Sequence, residues 1–234
     1  MRSFQTTLLT ALVWLTTAIS SAYANDPADF FPLHVGDVWE YDNYDIQTDW
    51  TVVEVVGDSA INGRQYYKMR ETSSSVGNVY RYSPLWVRIN DAFEVLQYSF
   101  HRQADVLMLR LDASVEDSWE GYEPLRSADF IYESDENWMP TVVLRDRGRM
   151  RDISMNKFLD FLEDEREALR FVYDFVAIEN TYAYVDGIGL VGWAGEGNVG
   201  LRLRGAIIGG VRYGTLTVGV EPSSWGHIKT LFVH

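Results

Sequence analysis

Two stretches of the chain carry residue types at a spacing that chemistry uses. Gly187-Ile188-Gly189-Leu190-Val191-Gly192 and Gly195-Glu196-Gly197-Asn198-Val199-Gly200 both fit G-x-G-x-x-G. That spacing lets backbone amides cradle a dinucleotide pyrophosphate, provided a strand precedes the glycines and a helix follows them. Trp193 and more glycine follow the first match, and "LRLRGAII", a period-two strand pattern, follows the second. No acidic residue closes a second strand at the expected distance. The glycines therefore read as a tight strand–turn–strand passage that needs positive φ or close backbone approach, and no nucleotide cofactor is expected.

The second feature is "RDRGRMRD". Arg145, Arg147, Arg149 and Arg151 alternate, so a strand would present all four guanidiniums on one face. Arg forks suit carboxylates and phosphates. The stripe is a candidate ligand-binding surface for an anionic glycan, a lipid head group or an acidic partner. The competing reading is a strand salt-bridged to the protein's own acids.

Other constellations offer less. His34, His101, His227 and His234 have no metal-ligand or triad spacing, so no metal site is assigned. No G-x-S-x-G elbow exists for a serine nucleophile. Acids cluster at Asp42, Asp45 and Asp49, at Glu133, Asp135 and Glu136, and at Glu163, Asp164, Glu165 and Glu167. None follows the calcium-loop spacing. Paired acids on facing strands would suit glycoside hydrolysis, but solvated loops and helix faces are the better reading of such runs. No catalytic residue is assigned.

The elements that must position these residues read as strands and turns. Aromatics are abundant, with 8 Trp, 14 Tyr and 11 Phe, and they alternate with polar residues. "GDVWEYDNY" puts Trp39 and Tyr41 on one face and Glu40 and Asp42 on the other. "WTVVEVV" ends at Gly57-Asp58, and Asn62-Gly63 before "RQYYKMRE" is a hairpin signal. "LWVRI", Asn90-Asp91 and "AFEVLQYSF" form a second hairpin. "DVLMLRLDA" and "FVYDFVAIE" are further strands, and Gly209-Gly210 turns a last hairpin. One segment departs from this pattern: "SMNKFLDFLEDEREALR" places Phe158, Phe161, Leu162, Glu165 and Leu169 near helical spacing, with Ser154 as its cap. The expected fold is all-β, an antiparallel meander forming a sandwich or curved half-barrel, with one short helix.

Bulk properties set the setting. Met1-Arg2, the apolar "TLLTALVWLTTAIS" and the small-residue "SAYA" have the layout of a secretory signal peptide. Cleavage is expected between Ala24 and Asn25, giving a signal peptide over 1–24, a single β-rich domain over 25–220 and a tail over 221–234. The apolar run is shorter than the roughly 20 residues a membrane helix needs, and no membrane span is expected in the mature chain. There is no Cys, so neither a disulfide nor a lipid-modified cysteine is available. The net charge is −14, one unit more negative without Arg2. Such a surface argues against nucleic acid as a partner.

"FFPLHVGDVWEYD" (Phe30 to Asp42), Leu111-Asp112 through Asp117-Ser118-Trp119, and "YVDGIGLVGW" together resemble a diffuse group of uncharacterised bacterial exported proteins. These share an FFPL-x-x-G-x-x-W-x-Y opening, an LD-x-x-x-x-D-x-W middle and a G-x-G-L-V strand near the end. This sequence carries Glu116 where a Gly is common in that group. The tail "SSWGHIKTLF" resembles a short ending on some exported proteins, with Trp225, Ile228, Leu231 and Phe232 on one helical face. The resemblance implies an exported β-rich module and brings no catalytic residue with it.

The sequence favours an exported, non-enzymatic binding or structural module in the periplasm or outside the cell, with a protein, glycan or apolar ligand as partner and no cofactor. Two alternatives stand beside it: a periplasmic carrier of a lipid or other apolar ligand, and an acid-pair hydrolase.

Overall fold

The computed structural model describes residues 26–43, 49–75, 78–124, 140–150, 166–175, 178–195 and 200–217. The expected signal peptide, its cleavage site at Ala24 and Asn25, Arg151 and the tail over 221–234 lie outside them. Alternating aromatic and β-branched residues give strands rather than helices here, because one face of each can be buried and the other wetted.

Among the described residues all strands belong to one antiparallel sheet of 14. β1 (Val38–Asn43), β2 (Trp50–Ile61), β3 (Arg64–Ser75), β5 (Leu85–Ile89), β6 (Glu94–Ser99) and β7 (Ala104–Arg110) form one meander. β8 (Ser118–Glu120), β9 (Thr141–Arg149), β10 (Glu167–Phe175), β11 (Ile178–Val185), β12 (Gly189–Ala194) and β13 (Gly200–Ile208) form a second. β4 (Asn78–Arg81) pairs β3, and β14 (Val211–Gly214) pairs β13. A ladder between β1 and β13 joins the two meanders.

The far edges, β7 and β8, approach each other, so the sheet curls into a nearly closed barrel. The Tyr122 amide donates to the Leu107 carbonyl at 2.8 Å across this seam. The Tyr173 hydroxyl and Trp119 Nε1 donate to the Met108 carbonyl at 3.2 and 3.4 Å. Side chains thus occupy a carbonyl that a complete ladder would have paired. Gly121 lies in the seam with no room for more: a Cβ there would meet Val142 Cγ2 at 2.8 Å and the Met108 carbonyl oxygen at 2.9 Å.

Inward-facing side chains fill the barrel. Tyr41, Tyr173, Tyr184, Phe171, Leu144 and Leu169 are among the largest fully buried ones. Trp39 and Tyr41 point inward as their alternation requires, and Glu40, opposite Val52 and Gly205, points outward.

The hairpins at Asn62-Gly63, Asn90-Asp91 and Gly209-Gly210 form as expected, with positive φ at Asn62, Gly63, Gly209 and Gly210. Three expectations are corrected. β2 does not end at Gly57-Asp58 but runs on to Ile61 through an irregularity between Val55 and Gly57. "FVYDFVAIE" is not one strand: β10 ends at Phe175 and β11 starts at Ile178, folded back on it. The helix expected after Ser154 cannot run to its proposed end, because Glu167 to Arg170 belong to β10, paired on both sides. The rest of that segment lies outside the described residues. Two neighbouring strands outweigh a local helical pattern. Among the described residues no helix is long and apolar enough to cross a membrane.

Candidate functional site

One end of the barrel is closed by the start of the described chain. Asp26 caps a single turn of 3-10 helix over Pro27–Phe30, its side chain accepting from the Ala28 amide at 3.0 Å. An acidic cap followed by proline is a sound helix start. The turn drives Phe30, Phe31 and Leu33 into the barrel core. This plug is fastened from several directions. The Gly187 amide donates to the Asp29 carbonyl at 2.9 Å. The turn between β11 and β12 that supplies Gly187 is held by Trp39 Nε1, donating to the Ile188 carbonyl at 2.6 Å, and by the Tyr41 hydroxyl, donating to Leu190 at 2.9 Å. Gly189, at φ 89, passes so close that a Cβ would stand 3.1 Å from Pro32 Cδ.

Asp37 organises the rim beside the plug. Its carboxylate is buried. One oxygen accepts from the His34 amide at 2.8 Å and lies 3.1 Å from His34 Nδ1. The other accepts from the Gly209 amide at 2.7 Å. A single carboxylate thereby ties the plug to the β13–β14 hairpin.

A cleft of about 510 Å³ opens between these parts. Phe31, Leu33, Tyr67, Ile89, Ile208 and Tyr213 give it apolar walls, and Asp29 and His34 add polar groups. Size and lining match small-molecule sites in general. Phe31 and Pro32 also roof an inner apolar space of about 20 Å³, room for about one water molecule. A ligand of any size therefore belongs in the outer cleft.

The electrostatics of the rim are uneven. Burial first, and then the charge of Asp29, push the Asp186 carboxyl above the ordinary carboxylate range, against the opposing charge of Arg166. Arg166 donates to the Asp186 carbonyl at 3.0 Å and lies over the Tyr213 ring at 5.6 Å. Deeper in the barrel, Glu123 accepts from Asn180 Nδ2 at 2.7 Å and from the Tyr182 hydroxyl. Burial, more than any neighbouring charge, raises the Tyr173, Tyr182 and Tyr184 hydroxyls well above their usual range. They stay neutral phenols, and Tyr173 and Tyr182 donate, to the Met108 carbonyl and to Glu123. Among the described residues no group of His, Asp and Glu has the arrangement to hold a metal ion.

The arginine stripe does not form one face. The β9–β10 register shifts between the Phe171–Leu144 and Arg170–Asp146 pairs, so Arg145 is an extra residue. Beyond that bulge Arg147 lies opposite Leu169, on the core side, because a bulge re-aims the side chains that follow it. Arg145 pairs with Glu116 at 2.9 Å. Arg147 bonds Glu167 at 3.0 Å and the Ala113 and Leu111 carbonyls at 3.3 Å each, and lies 5.9 Å from the Phe30 ring centroid. Arg149 lies opposite Glu167 in the ladder. Arg147 thus backs the plug from behind the cleft.

The first glycine match also resolves. Gly187 and Gly189 take positive φ in the β11–β12 turn, and a strand follows them. The second match has residues 196–199 outside the described set, and Gly200 opens β13. Of the acids picked out in the sequence, Asp42 sits in β1 and Asp49 is buried just before β2, Glu167 opens β10 and adds its charge to Asp186, and Asp45, the Glu133 group and Glu163 to Glu165 lie outside the described residues. Asp29, Asp37 and Asp186 were not singled out. The available signal was Asp26-Pro27 before "ADFFPL", a capped turn with an apolar face.

No family model matches this chain, and no curated protein matches it. Two solved structures are similar. A candidate exported protein with a YmcC-like fold from Bacteroides fragilis is 9% identical, with a TM-score of 0.44 over 74% of this chain and 96% of that one. A candidate lipoprotein from Parabacteroides distasonis is 12% identical, with a TM-score of 0.35 over the same shares.

Proposed function

We propose that this chain is an exported, non-enzymatic binding module, with residues 25–220 as one β domain, and that its ligand is an apolar or amphiphilic small molecule seated in the mouth cleft. The observation that carries this reading is the cleft itself, about 510 Å³ with apolar walls and a rim fixed by hydrogen bonds. A pre-formed, mostly apolar concavity is what small-molecule recognition requires. The signal-peptide layout of residues 1–24 supports export. The FFPL-x-x-G-x-x-W-x-Y opening supports the same reading, because in this chain it encodes the plug and β1, the two parts that build the mouth.

Native mass spectrometry of protein recovered from the exported fraction tests the proposal. The expected result is a mass counted from Asn25 with a small-molecule adduct that is lost on denaturation. Val211 is 55% exposed and lines the cleft, so Val211→Trp fills the space at little cost in stability. It should abolish the adduct. An adduct that survives Val211→Trp would place the ligand elsewhere.

One observation favours a second reading. The Asp186 carboxyl, pushed above the ordinary range by burial and then by the charge of Asp29, is shifted in the direction that the acid of an acid-pair hydrolase needs. Turnover of a glycoside abolished by Asp186→Asn, in a protein still folded, would move the assignment to that class.

A further inference from the structure

The mouth cleft and the inner apolar space are neighbours, and two plug residues divide them: Phe31 and Pro32 line both. With the plug seated, the inner space admits no ligand. We propose that Phe31 is a gate. The ligand's apolar end takes the place of the Phe31 ring inside the barrel, and a neutral carbonyl on the ligand accepts a hydrogen bond from the Tyr184 hydroxyl. This rests on the binding reading above and adds the ligand's polar group and its depth to it.

The first observation is Tyr184. It lines the inner space and is fully buried, yet among the described residues its hydroxyl has no hydrogen-bond partner. A buried donor left unpaired is costly, and such groups are rare in folded proteins. The other polar groups on this wall are taken: Trp39 Nε1 donates to the Ile188 carbonyl at 2.6 Å, and the Tyr41 hydroxyl to Leu190 at 2.9 Å. Burial keeps the Tyr184 phenol neutral, so it has a proton to offer. A charged head would lose its hydration on reaching it, and a neutral acceptor loses far less. One polar group in an apolar chamber is the usual composition of a small-molecule site.

The second observation is how Phe31 is held. Its ring centroid stands 6.0 Å from that of Tyr184, so a ligand ring in its place meets the same wall. Met69 and Met108 line the space as well, and methionine repacks readily around a different occupant. From Asp26 to Val35, among the described residues, a single backbone hydrogen bond joins the plug to the barrel, from the Gly187 amide to Asp29. Apolar burial does the rest, and an apolar ligand replaces that burial in kind. Gly36 joins the plug to β1. It sits at φ 100, with nothing within 4 Å of where a Cβ would stand, and gives the plug a pivot.

The test uses two probes of one skeleton, pentylbenzene and valerophenone, which differ in a single carbonyl. Titration calorimetry follows both. Tyr184→Phe should weaken valerophenone about fivefold, the value of one hydrogen bond, and leave pentylbenzene unchanged. The same variant should melt no lower than the parent, since the hydroxyl it removes has no partner to lose. A lower Tm would mean that a buried water already satisfies Tyr184, and equal effects on the two probes would mean that the carbonyl does not reach it. Either result overturns the proposal.

The gate has its own readout. The chain has no Cys, so Leu33→Cys places one thiol in the plug at a position 8% exposed that also lines the cleft. Pentylbenzene should speed its reaction with a thiol reagent, because the plug swings out. Val142→Cys, fully buried on β9, should stay unreactive, which separates gating from unfolding. A ligand that stops in the outer cleft would cover Leu33→Cys and slow the reaction. In that case the gate falls, and binding that Val211→Trp abolishes keeps the cleft. If neither probe binds in a way that Val211→Trp abolishes, the cleft reading itself falls.

Discussion

Two acidic corners of this barrel are built on opposite terms. On the outer face of β3, β5 and β7, Asp105 is saturated. One oxygen accepts from the Tyr66 hydroxyl, and the other takes Arg88 Nη2 at 2.6 Å and Arg64 Nη1 at 2.9 Å. Burial pushes this carboxyl up, but the hydrogen bonds from Arg88 and Tyr66 and the charges of Arg88 and Arg64 outweigh it, and its pKa lies below the ordinary range. At the mouth, Asp186 is shifted the other way, by burial and by Asp29. The chain has enough arginine to neutralise a carboxylate thoroughly where it serves the fold. Near the mouth it sets a single arginine, Arg166, against Asp186 and the charges of Asp29 and Glu167. Arg166 offsets that shift only in part, and shifted carboxyls of this kind gather at functional sites.

The sharpest way to break the contrast is Asp105→Asn. It leaves Arg88, whose side chain is 16% exposed, facing a neutral amide. Removing one partner of a largely buried pair is costly, and with some solvent access the loss should be about 2 kcal/mol. Its pH dependence is as informative. A carboxyl with a depressed folded pKa adds stability above the unfolded pKa and loses it as pH falls through the folded value. The acid limb of the stability curve, followed by thermal melts between pH 2 and 6, should therefore flatten in Asp105→Asn. An unchanged acid limb would mean that Asp105 is not the saturated group its contacts indicate.

Asp186→Asn tests the other corner and has the opposite sign. A carboxyl whose folded pKa is raised favours folding only while protonated, and its contribution is lost as pH rises through that folded pKa. The amide mimics the protonated form. Asp186→Asn should raise Tm at pH 7 by about 2 °C, and the gain should vanish as pH falls below the ordinary carboxylate range. A lower Tm at pH 7 would show that Asp186 is structural in the manner of Asp105, and the contrast would collapse.

Much of the scaffold carrying these corners was legible in the sequence, and the corners themselves were not. Asn62-Gly63 and Gly209-Gly210 announce their hairpins because the backbone there takes positive φ, a local demand with a local signature. Trp39 and Tyr41 announce the core face of β1 by alternation. The break between β10 and β11 was hidden, since no Gly, Pro, Asn or Asp stands between Phe175 and Ile178. The β9 bulge was hidden too. It depends on β10 opposite, and it converts a supposed arginine face into Arg147 backing the plug and Arg145 pairing with Glu116. The mouth draws Asp29, Tyr67, Ile89, Gly187 and Tyr213 from distant segments, and pairing alone brings them together. Only its first element has a local signature, Asp26-Pro27 before an apolar run, and that signature was not read.

Glu116 sharpens the comparison at its weakest end, because it is an acid paired with arginine yet placed badly. It sits at φ 72, a left-handed conformation that costs a non-glycine residue about 1 kcal/mol. Its bond to Arg145 joins side chains that are 64% and 44% exposed, and an exposed pair returns about 0.5 kcal/mol. The strain should therefore win narrowly. Glu116→Gly should raise Tm by about 1 °C, and Glu116→Gln, which keeps the strain and loses the charge, should lower it by less than that. If Glu116→Gly destabilises instead, the Arg145 pair is worth more than its exposure allows. Exposure, the property that separates the saturated Asp105 corner from a surface ion pair, would then be the wrong measure of what an acid contributes to this barrel.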